Sequence, residues 1–201
     1  VLLFFSWQMF DRTAPVPVNQ PIVAFTASSQ SQEVLLSTGD GRMVSLSAPQ
    51  ADSLLRETGI TRGEEELDYQ QTIRETEIHT LTTPRCGAYQ LRLADGTQVW
   101  LNAESRLKYP SRFTGEQRVV ELEGEGYFKV TPDSQRPFIV KSGNITTEVL
   151  GTEFNVRTYV PDDSHVTLLK GSVKVKNTDS SSEVVIQPGE DAHLQGDGTF
   201  D

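Results

Sequence analysis

The amino-acid sequence predicts an all-β fold. It should contain many short antiparallel strands in stacked layers, β-helix-like or a β-sandwich, with at most one short helix at residues 49–57. Three features carry this expectation. Apolar residues alternate with polar or charged ones, as in Val173-Lys174-Val175-Lys176, which is the period of a strand with one buried and one wet face. Turn formers such as Gly124, Gly151, Pro161-Asp162 and Pro188-Gly189 punctuate the pattern at roughly the 8–12-residue spacing of all-β domains. From Tyr89 onward no segment sustains a helical period.

Taken in order, Val1 to Phe10 is strongly apolar, but a bilayer span needs about 20 residues. A basic leader and a small-residue cleavage site are missing, so the stretch is not a complete signal peptide. It reads either as the end of a membrane helix or as a buried strand or helix. A-P-V-P-V-N-Q-P follows and reads as a stiff, extended linker. Short strands are expected at 22–26, 33–37 and 42–46. Residues 49–57 are the helix candidate, with Ser47 as cap, Pro49 in the first turn and Gly59 at the end. The acidic run from Glu64 reads as loop with one weak strand at 67–71. Strands are then expected at 89–93, 98–101, 106–109, 118–123, 126–130, 138–141, 145–150, 153–159, 166–169, 172–176, 184–187 and 191–194. Asp95-Gly96 reads as a two-residue hairpin turn. L-S-T-G-D-G-R-M-V-S-L (36–46) echoes L-R-L-A-D-G-T-Q-V-W-L (91–101). Three regions result: 1–21, apolar segment and linker; 22–83, an N-terminal β lead-in with an acidic loop; and 84–201, the main β domain.

The 201 residues carry 18 Lys and Arg against 28 Asp and Glu, a net charge of -10. That balance argues against binding nucleic acid through phosphate contacts. With 36% hydrophobic residues and a mean hydropathy of -0.39, the profile is that of a globular protein. The single cysteine, Cys86, cannot form an intrachain disulfide and is expected to be a small buried apolar side chain.

The run T-L-T-T-P-R-C-G-A-Y-Q-L-R-L-A-D-G-T-Q-V-W-L-N-A-E-S-R-L-K-Y-P (80–110) resembles the FecR family of anti-sigma regulators, in its Bacteroidetes-type form. Later blocks agree in order and spacing: V-V-E-L-E-G-E-G-Y-F-K-V (119–130), P-F-I-V-K (137–141), V-L-G-T-E-F-N-V-R-T-Y (149–159), L-L-K-G-S-V-K-V (168–175) and Q-P-G-E (187–190). The resemblance implies a periplasmic signal-relay module belonging to a single-pass inner-membrane protein. Such a module couples a TonB-dependent outer-membrane receptor to an extracytoplasmic-function sigma factor. The expected partner is the receptor's N-terminal signalling domain; the sigma factor would be met only through a cytoplasmic segment not present in this sequence. The motif positions Asp95, Gly96, Trp100, Leu101, Asn102, Gly124, Tyr127, Phe128, Gly151 and Phe154 are expected to be structural. Cys86 stands where the family pattern has glycine, so a strained turn is expected if that position needs a positive φ.

No catalytic, cofactor-binding or metal site is predicted, and no enzymatic activity. His79, His165 and His193 lack metal-type spacing along the chain, and Asp162-Asp163-Ser164 is too short a loop for calcium. Glu121, Glu123 and Glu125 share one strand face and read as solvated surface. Trp100 must face opposite to Val99 and Leu101, either covered on that side or exposed as an anchor. The alternative function is a carbohydrate-binding β-sandwich module, which an exposed aromatic platform at Trp100 would serve.

Overall fold

A computed structural model of the protein describes residues 33–63, 66–69, 76–160 and 163–201. Residues 1–21, the strand expected at 22–26 and most of the acidic loop lie outside them. In chain order the elements are β1 (Leu35–Ser37), β2 (Met43–Ser45), α1 (Ala51–Glu57), β3 (Ile60–Arg62), β4 (Glu66–Tyr69), β5 (Ile78–Thr82), β6 (Tyr89–Arg92), β7 (Gln98–Leu101) and β8 (Arg106–Pro110). They continue with β9 (Arg118–Lys129), β10 (Phe138–Ser142), β11 (Ile145–Val149), β12 (Glu153–Thr158), β13 (Ser164–Lys170), β14 (Val173–Asn177), β15 (Glu183–Ile186) and β16 (Asp191–Leu194). The all-β expectation holds. No helix among the described residues is long and apolar enough to cross a membrane.

The strands form two sheets that share β9. One runs β2-β1-β5-β8-β9-β10-β11-β14-β15, the other β3-β4-β6-β7-β9-β12-β13-β16. Among the described residues all pairings are antiparallel except β9 with β10 and β4 with β6. The sequence predicts two strands where the structure has the single β9. Its first half pairs with β8 and β10, and its second half, from Gly124, pairs with β7 and β12. Gly124 has φ +93°, and there the strand turns from one sheet into the other without ending. Burial alternates along all of β9, so Val120, Leu122, Phe128 and their neighbours meet one common core. Phe128 stacks on Phe154 of β12 at 5.3 Å and touches Phe138 of β10 at 6.2 Å, which joins the two sheets through aromatic contact.

The Asp95-Gly96 hairpin differs from the expected two-residue turn. Five residues separate β6 from β7, and only Gly96 has a positive φ. A type I′ turn needs positive φ at both central residues, so this is a longer turn in which aspartate acts through its side chain. Asp95 Oδ1 accepts from the Thr97 N–H at 3.0 Å, while Gly96 N–H donates to Leu93 O at 2.8 Å. The β1–β2 turn repeats the device with Asp40 Oδ1 and the Arg42 N–H at 3.2 Å. Asp197 does so again with the Thr199 N–H at 3.0 Å.

The helix begins two residues later than expected, and Gln50, not Ser47, stands at its N-cap without a side-chain bond. Ser47 Oγ is instead drawn to Ser45 Oγ at 3.0 Å. Ala51 and Leu55, four residues apart, are its buried face. β3 and β5 are absent from the sequence expectation. In β5 a histidine, His79, fills an inward slot, which masks the apolar alternation. Cys86 is exposed rather than buried, because it sits in the turn closed by Gly87 N–H to Pro84 O at 3.3 Å. Among the described residues Glu104 alone has a positive φ without being glycine, so Cys86 carries no such strain.

Candidate interaction face

The outer face of the second sheet collects the polar and aromatic motif residues. Strand register aligns Gln90, Trp100, Tyr127, Asn155, Thr167 and Asp191 in one row across β6, β7, β9, β12, β13 and β16. One residue along each strand, Leu91, Val99, Phe128, Phe154 and Leu168 point into the core. Trp100 and Tyr127 are half-buried, with ring centroids 5.3 Å apart at an angle of 56°. They cover each other in part and leave an aromatic surface in the middle of an otherwise polar sheet. Tyr127 Oη donates to Glu153 Oε2 at 3.3 Å. Burial and this carboxylate push the phenol's pKa up.

In the next row Glu125 stands opposite Arg157 and accepts from two amides. Asn102 Nδ2 donates to Glu125 Oε2 at 2.8 Å and Asn155 Nδ2 to Oε1 at 3.0 Å. Beyond it, Arg157, His165 and His193 stand opposite one another. Asp163 lies beside them, with its Oδ1 3.1 Å from Nε2 of each histidine. Asp191 Oδ2 lies 2.7 Å from His165 Nδ1, and Thr167 Oγ1 donates to Asp191 Oδ1 at 2.6 Å. The hydrogen bond with His165 holds the Asp163 carboxyl below its usual range. Burial opposes ionisation of Asp191, but the bonds from Thr167 and His165 outweigh it. Sequence spacing hides this cluster, because His165 and His193 meet only through the β13–β16 register.

The motif residues therefore divide. Trp100, Asn102 and Tyr127 belong to the face; Leu101, Phe128 and Phe154 are fully buried. Gly124 is the corner of β9, and Gly151 lies where a Cβ would come within 2.7 Å of Pro132 Cα. Asp95 and Gly96 form the turn. Glu121 and Glu123 are outward, paired with Lys108 and Arg106 at 3.1 and 3.2 Å.

Two buried polar groups escape the sequence reading. Arg118 is fully buried at the start of β9. Its Nη1 donates to Asp95 Oδ2 and Thr131 O, each at 2.8 Å, and its Nε to Arg136 O at 2.9 Å. The guanidinium also lies 5.4 Å from the Phe138 ring centre. The second is a chain of rings under β5: His79 Nδ1 contacts Tyr69 Oη at 2.7 Å, and Tyr69 Oη contacts Tyr109 Oη at 2.8 Å. Burial raises both phenol pKa values, so both are neutral.

Burial also lowers the His79 pKa, against the opposing pull of Glu77, 3.3 Å from Nε2, and of the more distant Asp40. A histidine whose pKa is depressed on folding binds its proton more readily unfolded. Its stabilising contribution is therefore complete above the unfolded value of about 6.5 and is lost as pH falls toward the folded value. Urea midpoints at about pH 7.5 and about pH 5.5 should fall for the unmodified chain, and the fall should shrink in His79→Gln. An equal fall in both would remove His79 as the cause.

Residues 79–174 match the family model described as FecR protein. The fold is similar to two crystal structures of a candidate anti-sigma factor from Parabacteroides distasonis. One has a TM-score of 0.57 at 34% identity, covering 61% of this chain and 57% of that one. The other has a TM-score of 0.58 at 33% identity, covering 62% and 58%. This chain thus spans less than two thirds of the length of those proteins. No curated protein matches it.

Proposed function

We propose, from the premise that this chain is a FecR-family protein matched over residues 79–174, that it is a signal-relay part of an anti-sigma regulator, a regulatory and non-enzymatic class. The observation that carries this reading is the placement of the matched segment. It runs from β5 into β14 and contains every described strand that pairs with β9, so the family blocks are the joint between the two sheets. In the finer form of the proposal, the module lies in the periplasm of a protein anchored in the inner membrane. It reports on the N-terminal signalling domain of a TonB-dependent outer-membrane receptor, and a cytoplasmic segment meets the extracytoplasmic-function sigma factor.

Edge-strand pairing is the mode of contact that the fold offers. Among the described residues β15 pairs with β14 alone and β2 with β1 alone, and each edge exposes an apolar residue, Val185 at 52% and Met43 at 67%. An added strand would extend either ladder. We assign the contact to β15, whose four residues offer the longer edge. Calorimetric titration of the chain with the receptor's signalling domain should show binding. Val185→Lys should weaken it roughly tenfold, about the worth of one buried valine side chain, while Met43→Lys leaves it unchanged. Equal affinities for all three proteins would overturn the assignment to β15, and no binding would overturn the receptor reading.

A carbohydrate-binding module is a second reading, favoured by the half-exposed Trp100–Tyr127 pair. It requires oligosaccharide to change tryptophan fluorescence in the unmodified chain and not in Trp100→Ala.

A further inference from the structure

We propose that Asp163, His165 and His193 form a binding site for a borderline divalent transition metal, with zinc as the fitting ion, and that Asp191 is its positioning residue. The convergence of three donor atoms carries the argument. A carboxylate only accepts, so the 2.7 Å contact with Asp191 places a proton on His165 Nδ1. Nε2, the remaining ring nitrogen, faces Asp163 Oδ1 at 3.1 Å. A positive centre must join the two, either a second ring proton or a metal ion bound by both. His193 Nε2 converges on the same oxygen, also at 3.1 Å. The two imidazoles are nearly parallel, at 8° with centroids 4.1 Å apart, so both ring edges present their nitrogens to one place.

The dimensions suit a metal. The three donor atoms lie within 4.8 Å of one another. Tetrahedral zinc, with bonds of about 2.0–2.2 Å to nitrogen and oxygen, separates its ligands by roughly 3.3–3.5 Å, close to the two 3.1 Å spacings. Two imidazoles and one carboxylate favour zinc, nickel or copper over calcium and magnesium, which prefer oxygen. Asp191, itself held by Thr167 Oγ1, repeats the carboxylate–histidine pairing found behind zinc ligands, which fixes the tautomer and aims Nε2. Arg157 Nη2, 3.7 Å from Asp163 Oδ2, is the nearby opposing charge; it engages the other carboxylate oxygen and leaves Oδ1 to the site. The described residues supply three ligands, one short of a tetrahedral set. The site links β13 to β16, and β16 lies beyond the FecR-matched segment, so the metal would pin the last strand to that segment.

The test is calorimetric titration of the tag-free, chelator-treated chain with zinc chloride, alongside its melting temperature. One zinc per chain should bind and raise the melting temperature, and excess chelator should reverse the rise. His193→Ala and Asp163→Ala should abolish the uptake. Asp191→Ala should keep one site per chain while weakening it about 10- to 100-fold, the usual effect of losing such a partner. Cobalt(II) added to the unmodified chain should give the visible absorption of a tetrahedral nitrogen–oxygen site, a readout that does not depend on any variant folding. No zinc uptake, uptake that survives loss of His193, or a preference for calcium over zinc would each overturn the proposal.

Discussion

Arg118→Met should remove about 3–5 kcal/mol of folding stability, the cost of stranding one partner of a buried ion pair. The side chain is buried, and its Nη1 and Nε serve Asp95, Thr131 and Arg136 together. Methionine fills the apolar space over Phe138 but leaves the Asp95 carboxylate, which is 7% exposed, without its counter-charge. Two backbone carbonyls lose their donors at the same time. Domains of this kind are stable by only about 5–15 kcal/mol, so the loss should lower the melting temperature by on the order of 10 °C. Arg118→Lys should recover a minor part, because an ammonium is a point charge and cannot reproduce the fork. The Asp95→Ala and Arg118→Met changes should be strongly non-additive in a double-mutant cycle. Additive losses would show that the two side chains act separately.

Gly124→Ala should cost about 2–5 kcal/mol, combining the strain of a positive φ with overpacking. At φ +93° a Cβ would approach Ser105 Cβ to 2.9 Å, its Cα to 3.0 Å and its Oγ still more closely. Ser105 cannot simply yield. Its Oγ donates to Ala103 O at 2.9 Å and accepts from the Glu125 N–H at 2.9 Å, which holds the β8 side of the corner. Removing the obstacle with Ser105→Gly in the Gly124→Ala background should restore the packing share and leave the backbone share. Denaturant midpoints of the four proteins in that cycle measure both. A Gly124→Ala protein as stable as the unmodified chain would show that β9 can turn between sheets without this conformation.

Much of the architecture was legible along the chain. Alternation placed most of the strands from Tyr89 onward, since burying one face of a strand imposes period two on the sequence. The legible elements were those whose inward positions are apolar. β5 is hidden because His79 occupies such a position, made compatible with burial by its bond to Tyr69. β9 reads as two strands because glycine usually interrupts a strand, whereas Gly124 bends this one between two sheets. The Asp-Gly turns are visible in the sequence but their length is not, since a side-chain bond from aspartate extends the turn.

The candidate residues follow the same division. Family blocks named Trp100, Asn102 and Tyr127, and alternation put Trp100 opposite to Val99 and Leu101. Neither names Arg118, because a charged residue before an apolar strand reads as surface until Asp95 is seen beneath it. Neither joins His165 to His193.

The amino-acid order alone determined the class of secondary structure, most turn positions and the resemblance to the FecR family, because each depends on neighbours within a few residues or on blocks kept in order. Tertiary structure alone decided that one strand serves two sheets, that Asp95 neutralises Arg118, and that two histidines and an aspartate converge. Those outcomes depend on register between strands distant in sequence, and register is set by how the shared core packs.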